Sequence, residues 1–172
     1  MRLSGITAES IVDGPGLRYV IFTQGCRHQC PQCHNPESWD MDAGKEFTVK
    51  QIINMIKKQV KLLTDTKIQG VTFSGGEPFL QAGELAEIAS AAHEIGWDVT
   101  AYSGYTFEEI TDLAGTDDGV FALINECDIL IDGRYIHEMR NIGLTFCGSS
   151  NQRVIDMEKT RKKNKIVLWK EK

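Results

Sequence analysis

Hydrophobic and polar positions along this chain follow a strand–loop–helix rhythm. Residues 18–24 (RYVIFTQ) are β-branched and aromatic, which predicts a buried strand. The polar, glycine-containing stretch 25–47 that follows is too long for an ordinary connection, and such loops tend to carry function. Thr48 opens a helix, with Gln51 three residues on completing a capping-box pattern. Val49, Ile52, Ile53, Ile56, Val60 and Leu63 keep helical spacing through it. Residues 70–74 (GVTFS) predict the next strand, ending in Gly75-Gly76-Glu77-Pro78. Leu85, Ile88, Ala89, Ala92 and Ile95 mark a second helix, and Gly96 stands where a C-terminal cap belongs. Residues 97–102 (WDVTAY) predict a third strand, followed by Ser103-Gly104-Tyr105. Thr106 and Glu109 make another capping box, for a short helix containing Ile110 and Leu113. Residues 127–131 (CDILI) predict a fourth strand, ending in Asp132-Gly133-Arg134. Beyond it the pattern changes. Short strands at 152–157 and 166–169 flank the basic run 159–165, which predicts a hairpin or strand–turn–strand within the 148–172 segment. There is no internal repeat and no low-complexity segment.

Alternating β and α elements argue for an α/β fold with a mostly parallel sheet, because parallel neighbours need a helical crossover. In such sheets the ligand site lies beyond the carboxyl ends of the strands. Here the cysteine-bearing loop, the Gly-Gly-Glu-Pro turn, the Ser-Gly-Tyr turn and the Asp-Gly-Arg turn each follow a different strand. Four unusual loops therefore converge on one rim.

Composition narrows the setting. A length of 172 residues suits one domain, 1–172, around one core, and 41% hydrophobic with 25% charged residues is ordinary for a globular protein. A net charge of −5 argues against a nucleic-acid binder driven by phosphate neutralisation. No apolar run is long enough to cross a bilayer, and the N-terminal MRLSGITAESIVDGPG lacks an apolar signal stretch. The expectation is a cytoplasmic protein with no membrane partner. In a reducing compartment, five cysteines with three inside eight residues read as metal ligation or catalysis, not as a disulfide framework.

Those three are Cys26, Cys30 and Cys33, spaced C-x₃-C-x₂-C. Thiolates are soft ligands suited to zinc or to iron–sulfur clusters. Three of them in one loop can hold three corners of a cubane and leave its fourth iron open to another ligand. A structural zinc site wants four closed ligands, and His28, His34 or a distant cysteine could complete one. Cys127 begins an apolar strand and reads as a small packed hydrophobe, whereas Cys147 is open to either reading. His28, inside the loop, reads as solvent-exposed.

The surroundings of the triplet carry a family resemblance. Asp13-Gly14-Pro15-Gly16 precedes the first strand, His34-Asn35-Pro36 follows Cys33 with Trp39 close behind, and Ser74-Gly75-Gly76-Glu77-Pro78 closes the second strand. With the cysteines, this combination resembles the radical S-adenosylmethionine (SAM) superfamily, and within it the activases of glycyl radical enzymes. Residues 102–105 (YSGY), 131–135 (IDGRY) and 148–154 (GSSNQRV) narrow the match. They resemble the activating proteins of anaerobic (class III) ribonucleoside-triphosphate reductases, over nearly the whole chain. Pyruvate formate-lyase activases share the first half. One departure is Gln32, where the superfamily often places an aromatic residue before the third cysteine.

The resemblance implies a partial, open (β/α) barrel of about six strands, by analogy with closed barrels. It implies one [4Fe–4S] cluster per chain on Cys26, Cys30 and Cys33, with SAM at the open iron. The reduced cluster would pass one electron to SAM, giving methionine and a 5′-deoxyadenosyl radical. That radical would take a hydrogen from a backbone glycine in the catalytic subunit of the reductase. A flavodoxin- or ferredoxin-like protein would supply the electron. No protein acid or base is catalytic on this reading, since the cofactors carry the chemistry. The alternatives are activation of another glycyl radical enzyme, of the pyruvate formate-lyase type, or a non-catalytic module binding zinc or a cluster.

Residue by residue, the resemblance implies SAM contacts from Gln32, Cys33, His34 and Asn35, and from Ser74, Gly75, Gly76 and Glu77 around the methionine amino group. Asp132 and Arg134 would face the SAM carboxylate or a monovalent cation. The residues alone also admit plainer readings. Gly-Gly-Glu-Pro suits a strand-to-helix turn with Pro78 at the helix start, Asp132-Gly133 a tight turn, and His34 a surface position. Gly75 and Gly76, lacking Cβ, would let a ligand approach their backbone. Trp39, Tyr102 and Tyr105 could line the opening for the partner's glycine loop or simply pack its rim. The run 159–165 reads as a solvated turn.

Overall fold

The computed structural model describes residues 1–62 and 67–170. In chain order its elements are β1 (Arg2–Ser10), β2 (Arg18–Thr23), the two-residue β3 (Lys45–Glu46), α1 (Val49–Leu62), β4 (Gly70–Gly75), α2 (Ala82–Glu94), β5 (Asp98–Tyr102), α3 (Phe107–Ala114), α4 (Asp118–Glu126), β6 (Ile129–Asp132), β7 (Arg153–Asp156) and α5 (Met157–Lys163). All seven strands share one open sheet in the order β3-β1-β2-β4-β5-β6-β7. The central strands β2, β4, β5 and β6 run parallel. β1 and β3 on one side and β7 on the other are antiparallel. The sheet is thus α/β and mixed, parallel only at its centre.

Both predicted capping boxes form. Thr48 Oγ1 accepts from Gln51 N at 3.2 Å while Gln51 Oε1 accepts from Thr48 N at 2.7 Å, and Thr106 and Glu109 repeat the exchange for α3. Ile52 and Ile56 of α1 are buried, and Leu63 lies outside the described residues. Three elements before β6 were not expected. β1 buries only Leu3 and Ser10 of its nine residues, so no apolar run marks it. β3 is too short to leave a pattern. α4 is capped by Asp117, whose Oδ1 accepts from Gly119 N and Val120 N, and it runs into the start of the expected fourth strand. Cys127 consequently ends α4 instead of opening β6, but it is fully buried in the core as a small hydrophobe.

The C-terminal segment also differs from the expected hairpin. The chain does return antiparallel on β7, with Asp156 N donating to Val167 O and Trp169 N to Val154 O, each at 2.8 Å. The connection, however, is the helix α5 and not a solvated turn. Asp156 caps it through Lys159 N at 2.9 Å, Asn164 ends it in the left-handed conformation, and Lys162 pairs with Glu158 one turn away. Side-chain partners within the helix and at its cap offset the repulsion of the basic run.

The parallel strands follow chain order across the sheet, so right-handed crossovers place every connecting helix on the same face. Accordingly α1 packs on α2, α2 on α4 and α4 on α3. Alternate strand residues (Tyr19, Ile21, Val71, Phe73, Val99, Ala101, Leu130) meet Ile52, Leu85, Ile88, Ala92, Ile110 and Leu123 in this core. Among the described residues, no helix that connects two parallel strands covers the opposite face. At the amino ends of the strands it carries fully buried Arg18, which donates to Thr72 Oγ1 and Thr100 Oγ1, both at 3.0 Å, and pairs with Asp98 at 2.6 Å. The Asp13-Gly14-Pro15-Gly16 loop lies against this layer. A Cβ on Gly14 would come within 3.3 Å of Thr72 Oγ1 and 3.5 Å of Arg18 Nε. Amino-terminal plugging leaves the carboxyl ends of the strands open. Among the described residues no helix is long and apolar enough to cross a membrane.

Candidate active site

The long loop after β2 is tied at its stem. Gly25 N donates to Ser38 O at 2.8 Å and Cys26 N to Trp39 O at 3.2 Å, joining the outgoing and returning arms. Buried Gln24 donates to the carbonyls of Glu37 and Asp40, and Gln81 Nε2 holds the carbonyls of Arg2 and Gln24. At the tip Cys33 N donates to Cys30 O at 3.0 Å, and Asn35 N points at Cys33 Sγ at 3.4 Å. Gln29 and Gln32 adopt left-handed φ values of +47° and +56°, which tighten the tip. As a result Cys26, Cys30 and Cys33, all unbridged and half-buried, line one cavity of about 620 Å³.

That cavity stands over the carboxyl ends of β2, β4, β5 and β6. His34, Asn35, Ser74, Gly75 and Gly76 line it with the three cysteines. The remaining expected contacts do not. Gln32 and Arg134 are exposed outside the wall. Glu77 and Asp132 are buried, and their carboxylates are already engaged.

Each of those carboxylates holds the frame. Glu77 accepts from Phe79 N (3.0 Å), Ser103 Oγ (2.9 Å), Gly104 N (2.8 Å) and His28 Nε2 (3.0 Å). His28 is therefore buried, contrary to the expectation of solvent exposure, because its ring fits between Glu77 and Tyr105. Asp132 caps α3 through Phe107 N at 2.7 Å and takes a bidentate grip from Arg153 at 3.0 and 2.5 Å. Gly133, at φ +98°, makes the turn that follows. The glycines at 75 and 76 line the cavity and also serve the frame. Their missing side chains admit another stretch of backbone: a Cβ on Gly76 would lie 2.3 Å from Gly25 O, and one on Gly75 2.6 Å from Thr23 N. Gly76 N to Thr23 O and Glu77 N to Gly25 O, each 2.8 Å, complete that junction.

The 144–152 segment forms a wall that the sequence did not assign to the site. Leu144, Phe146, Cys147, Gly148 and Gln152 line the cavity, together with Val12, Asp13, Phe22 and Tyr135. Gln152 accepts from Gly148 N and Ser149 N and donates to Gly133 O, while Asn151 donates to Arg134 O. The GSSNQ run thereby fastens this wall to the turn after β6. Tyr102 lines the cavity, Tyr105 packs on His28, and half-buried Trp39 belongs to the loop stem. Tyr135 packs against His34, centroids 5.3 Å apart.

Burial pushes the Cys26 and Cys30 thiols above their usual range, with Glu77 adding to the effect at Cys26 and Cys33 at Cys30. Burial does the same to Cys147 and, more strongly, to the Tyr102 hydroxyl. Bare thiolates are disfavoured there, and a bound cation centre would reverse that balance. Among the described residues no three His, Cys, Asp or Glu side chains gather around one point as a single metal ion requires. A cubane makes no such demand, since each thiolate binds a different iron. Three soft donors on one side of a roomy cavity fit that group.

Comparison with known proteins agrees. Residues 12–155 match the family described as 4Fe-4S single cluster domain. The chain is 34% identical over 159 residues to the anaerobic ribonucleoside-triphosphate reductase-activating protein of Salmonella typhimurium, covering 88% of this chain and 96% of that one. It is 35% identical over 152 residues to the Escherichia coli K12 protein of the same name, covering 83% and 90%. It is also 40% identical over 123 residues to the pyruvate formate-lyase-activating enzyme of Clostridium pasteurianum, covering 67% and 51%.

Proposed function

Because the chain belongs to the 4Fe-4S single-cluster family and, within it, to the reductase-activating proteins, we propose that it activates an anaerobic ribonucleoside-triphosphate reductase by SAM-dependent glycyl radical formation. The observation that carries this reading is the convergence of three thiols from one loop, with residues 74–76, on one cavity beyond parallel strands. Held by Cys26, Cys30 and Cys33, a [4Fe–4S] cluster would supply the electron for cleavage of SAM, and the radical chemistry that follows would take hydrogen from a glycine of the reductase's catalytic subunit.

The chain's own residues position and shield that chemistry. Cys26, Cys30 and Cys33 hold the cluster. His34 and Asn35 on one arm and Ser74, Gly75 and Gly76 opposite bind and orient SAM. Glu77 and Asp132 serve by fixing the walls, and Gln32 and Arg134 reach the cavity only through their neighbours Cys33 and Gly133. Phe22, Leu144 and Phe146 give it an apolar side. On the same reading the one-sided sheet is a partial (β/α) barrel, the setting is the cytoplasm, and the electron comes from a flavodoxin- or ferredoxin-like donor. Activation of pyruvate formate-lyase is the second reading, favoured by the 40% identity to the Clostridium enzyme. Coverage weighs against it: the chain spans 51% of that relative but 90–96% of the reductase activators.

The test is anaerobic reconstitution with iron and sulfide, reduction, and EPR before and after SAM, then with each candidate partner. A [4Fe–4S]⁺ signal that changes with SAM, and a glycyl radical on the reductase alone, is expected. Tight zinc with no reducible cluster would sink the reading.

A further inference from the structure

His28 stands between two of the cluster cysteines yet has no part in the roles above. Its side chain is 5% exposed. Since Glu77 Oε2 accepts at 3.0 Å, Nε2 carries the proton. The ring packs edge-on against Tyr105, centroids 4.4 Å apart at 71°. On its other side it fills the space above Gly104, where a Cβ would come within 2.3 Å of His28 Cδ2. Glu77 is 1% exposed and receives three further hydrogen bonds, from the turns after β4 and β5. One carboxylate thus pins the loop after β2 to both of those turns.

A buried carboxylate is tolerated only with its acceptor sites filled, and a filled network is rigid. What that rigidity holds is the backbone beside Cys26. His28 lies two residues after Cys26 in the same loop, and Cys26 N is itself tied to Trp39 O at 3.2 Å. The left-handed turn at Gln29 belongs to the kind of concave backbone that surrounds many iron–sulfur sites. Reduction potentials of such clusters depend on hydrogen bonds to their sulfurs.

We propose that His28, seated on Glu77, is a positioning residue that sets how firmly the cysteine loop retains its cluster and at what potential the cluster is reduced. This rests on the reading that Cys26, Cys30 and Cys33 hold a [4Fe–4S] cluster. It also gives Glu77 of the Gly-Gly-Glu-Pro turn a partner in the cysteine loop.

The experiment compares wild type, His28→Ala, His28→Gln and Gly104→Ala after anaerobic reconstitution. Iron retention against a chelator, midpoint potential and reduced-state EPR are read, with apo-protein unfolding as the fold control. His28→Ala should retain the cluster about 10- to 100-fold less well, as loss of an outer partner usually does. Its potential and EPR spectrum should shift. His28→Gln, whose amide N–H can replace Nε2–H, should return both towards wild type. Gly104→Ala displaces the ring without removing it and should shift the potential in the same direction as His28→Ala; it carries the test if the alanine variant fails to fold. Wild-type retention, potential and spectrum in a folded His28→Ala, or an unchanged potential in Gly104→Ala, would overturn the proposal alone. A wild-type chain that takes up no reducible cluster would overturn the functional reading and this inference together.

Discussion

Cys30 shows how a residue at this site separates function from folding. Its side chain is half-buried on the cavity wall, and what the loop takes from it is backbone: Cys30 O accepts from Cys33 N. Cys30→Ala keeps that bond, so apo-protein unfolding should stay within about 1 kcal/mol of wild type. SAM cleavage by the reconstituted variant should vanish. Retained cleavage, measured as methionine released under reducing conditions, would remove Cys30 from the ligand set. His28 illustrates the opposite case. As a polar residue in a polar loop it reads as solvent-facing, and the partner that buries it is 49 residues away. Glycines 75 and 76 were legible as special, but part of the reason is hidden from the sequence, since the atoms they would strike belong to the end of β2 and to the stem of the loop after it.

At the scale of elements, the two capping boxes and the turns after β4, β5 and β6 were legible because their residues are near neighbours in sequence. The junctions between elements were not. One such junction lies at the end of the sheet remote from the cavity, where His93 of α2 bridges Glu126 Oε2 at 2.8 Å and Asp128 Oδ2 at 2.9 Å. Asp128 in turn accepts from Val99 N, so the histidine ties α2 to the α4–β6 connection and to β5. Burial works against the imidazolium, but hydrogen bonds and charge from Asp128 and Glu126 outweigh it, and the pKa is raised. A raised histidine contributes fully below its unfolded pKa, about 6.5, and its contribution fades as pH rises through the folded value. His93→Gln should therefore lower the urea midpoint more at about pH 6 than at about pH 9. An equal loss at both pH values would show that the charged form does not stabilise the junction.

For the whole molecule, the decisive feature is that every crossover helix lies on one face and the other face is plugged at one end. Arg18 supports the plugged end, fully buried and hydrogen-bonded to strands β4 and β5. Arg18→Met would leave the Thr72 and Thr100 hydroxyls and the Val71 carbonyl short of a donor. Breaking a buried pair this way costs about 3–5 kcal/mol, and the partly solvated Asp98 places the loss near 3. Urea unfolding checks this. Cluster uptake should persist in the folded fraction, since Arg18 sits at the opposite end of the sheet from the cysteines; its loss there would mean that the two ends are coupled.

The sequence by itself determined the α/β alternation, four of the seven strands as strong apolar runs, the capping boxes, the cysteine triplet and the rim on which four loops converge. All of these depend on residues close together along the chain. The weakly apolar β1, the two-residue edge strand β3, and α4 beside an apolar strand left too little periodicity to be read. Tertiary structure alone decided which polar residues face the cavity and which are consumed in holding it. Glu77 and Asp132 read as ligand contacts in the sequence, but each has its carboxylate taken by backbone or side chains of other elements. A buried polar group must find partners, and only the fold settles whether those partners are protein or ligand.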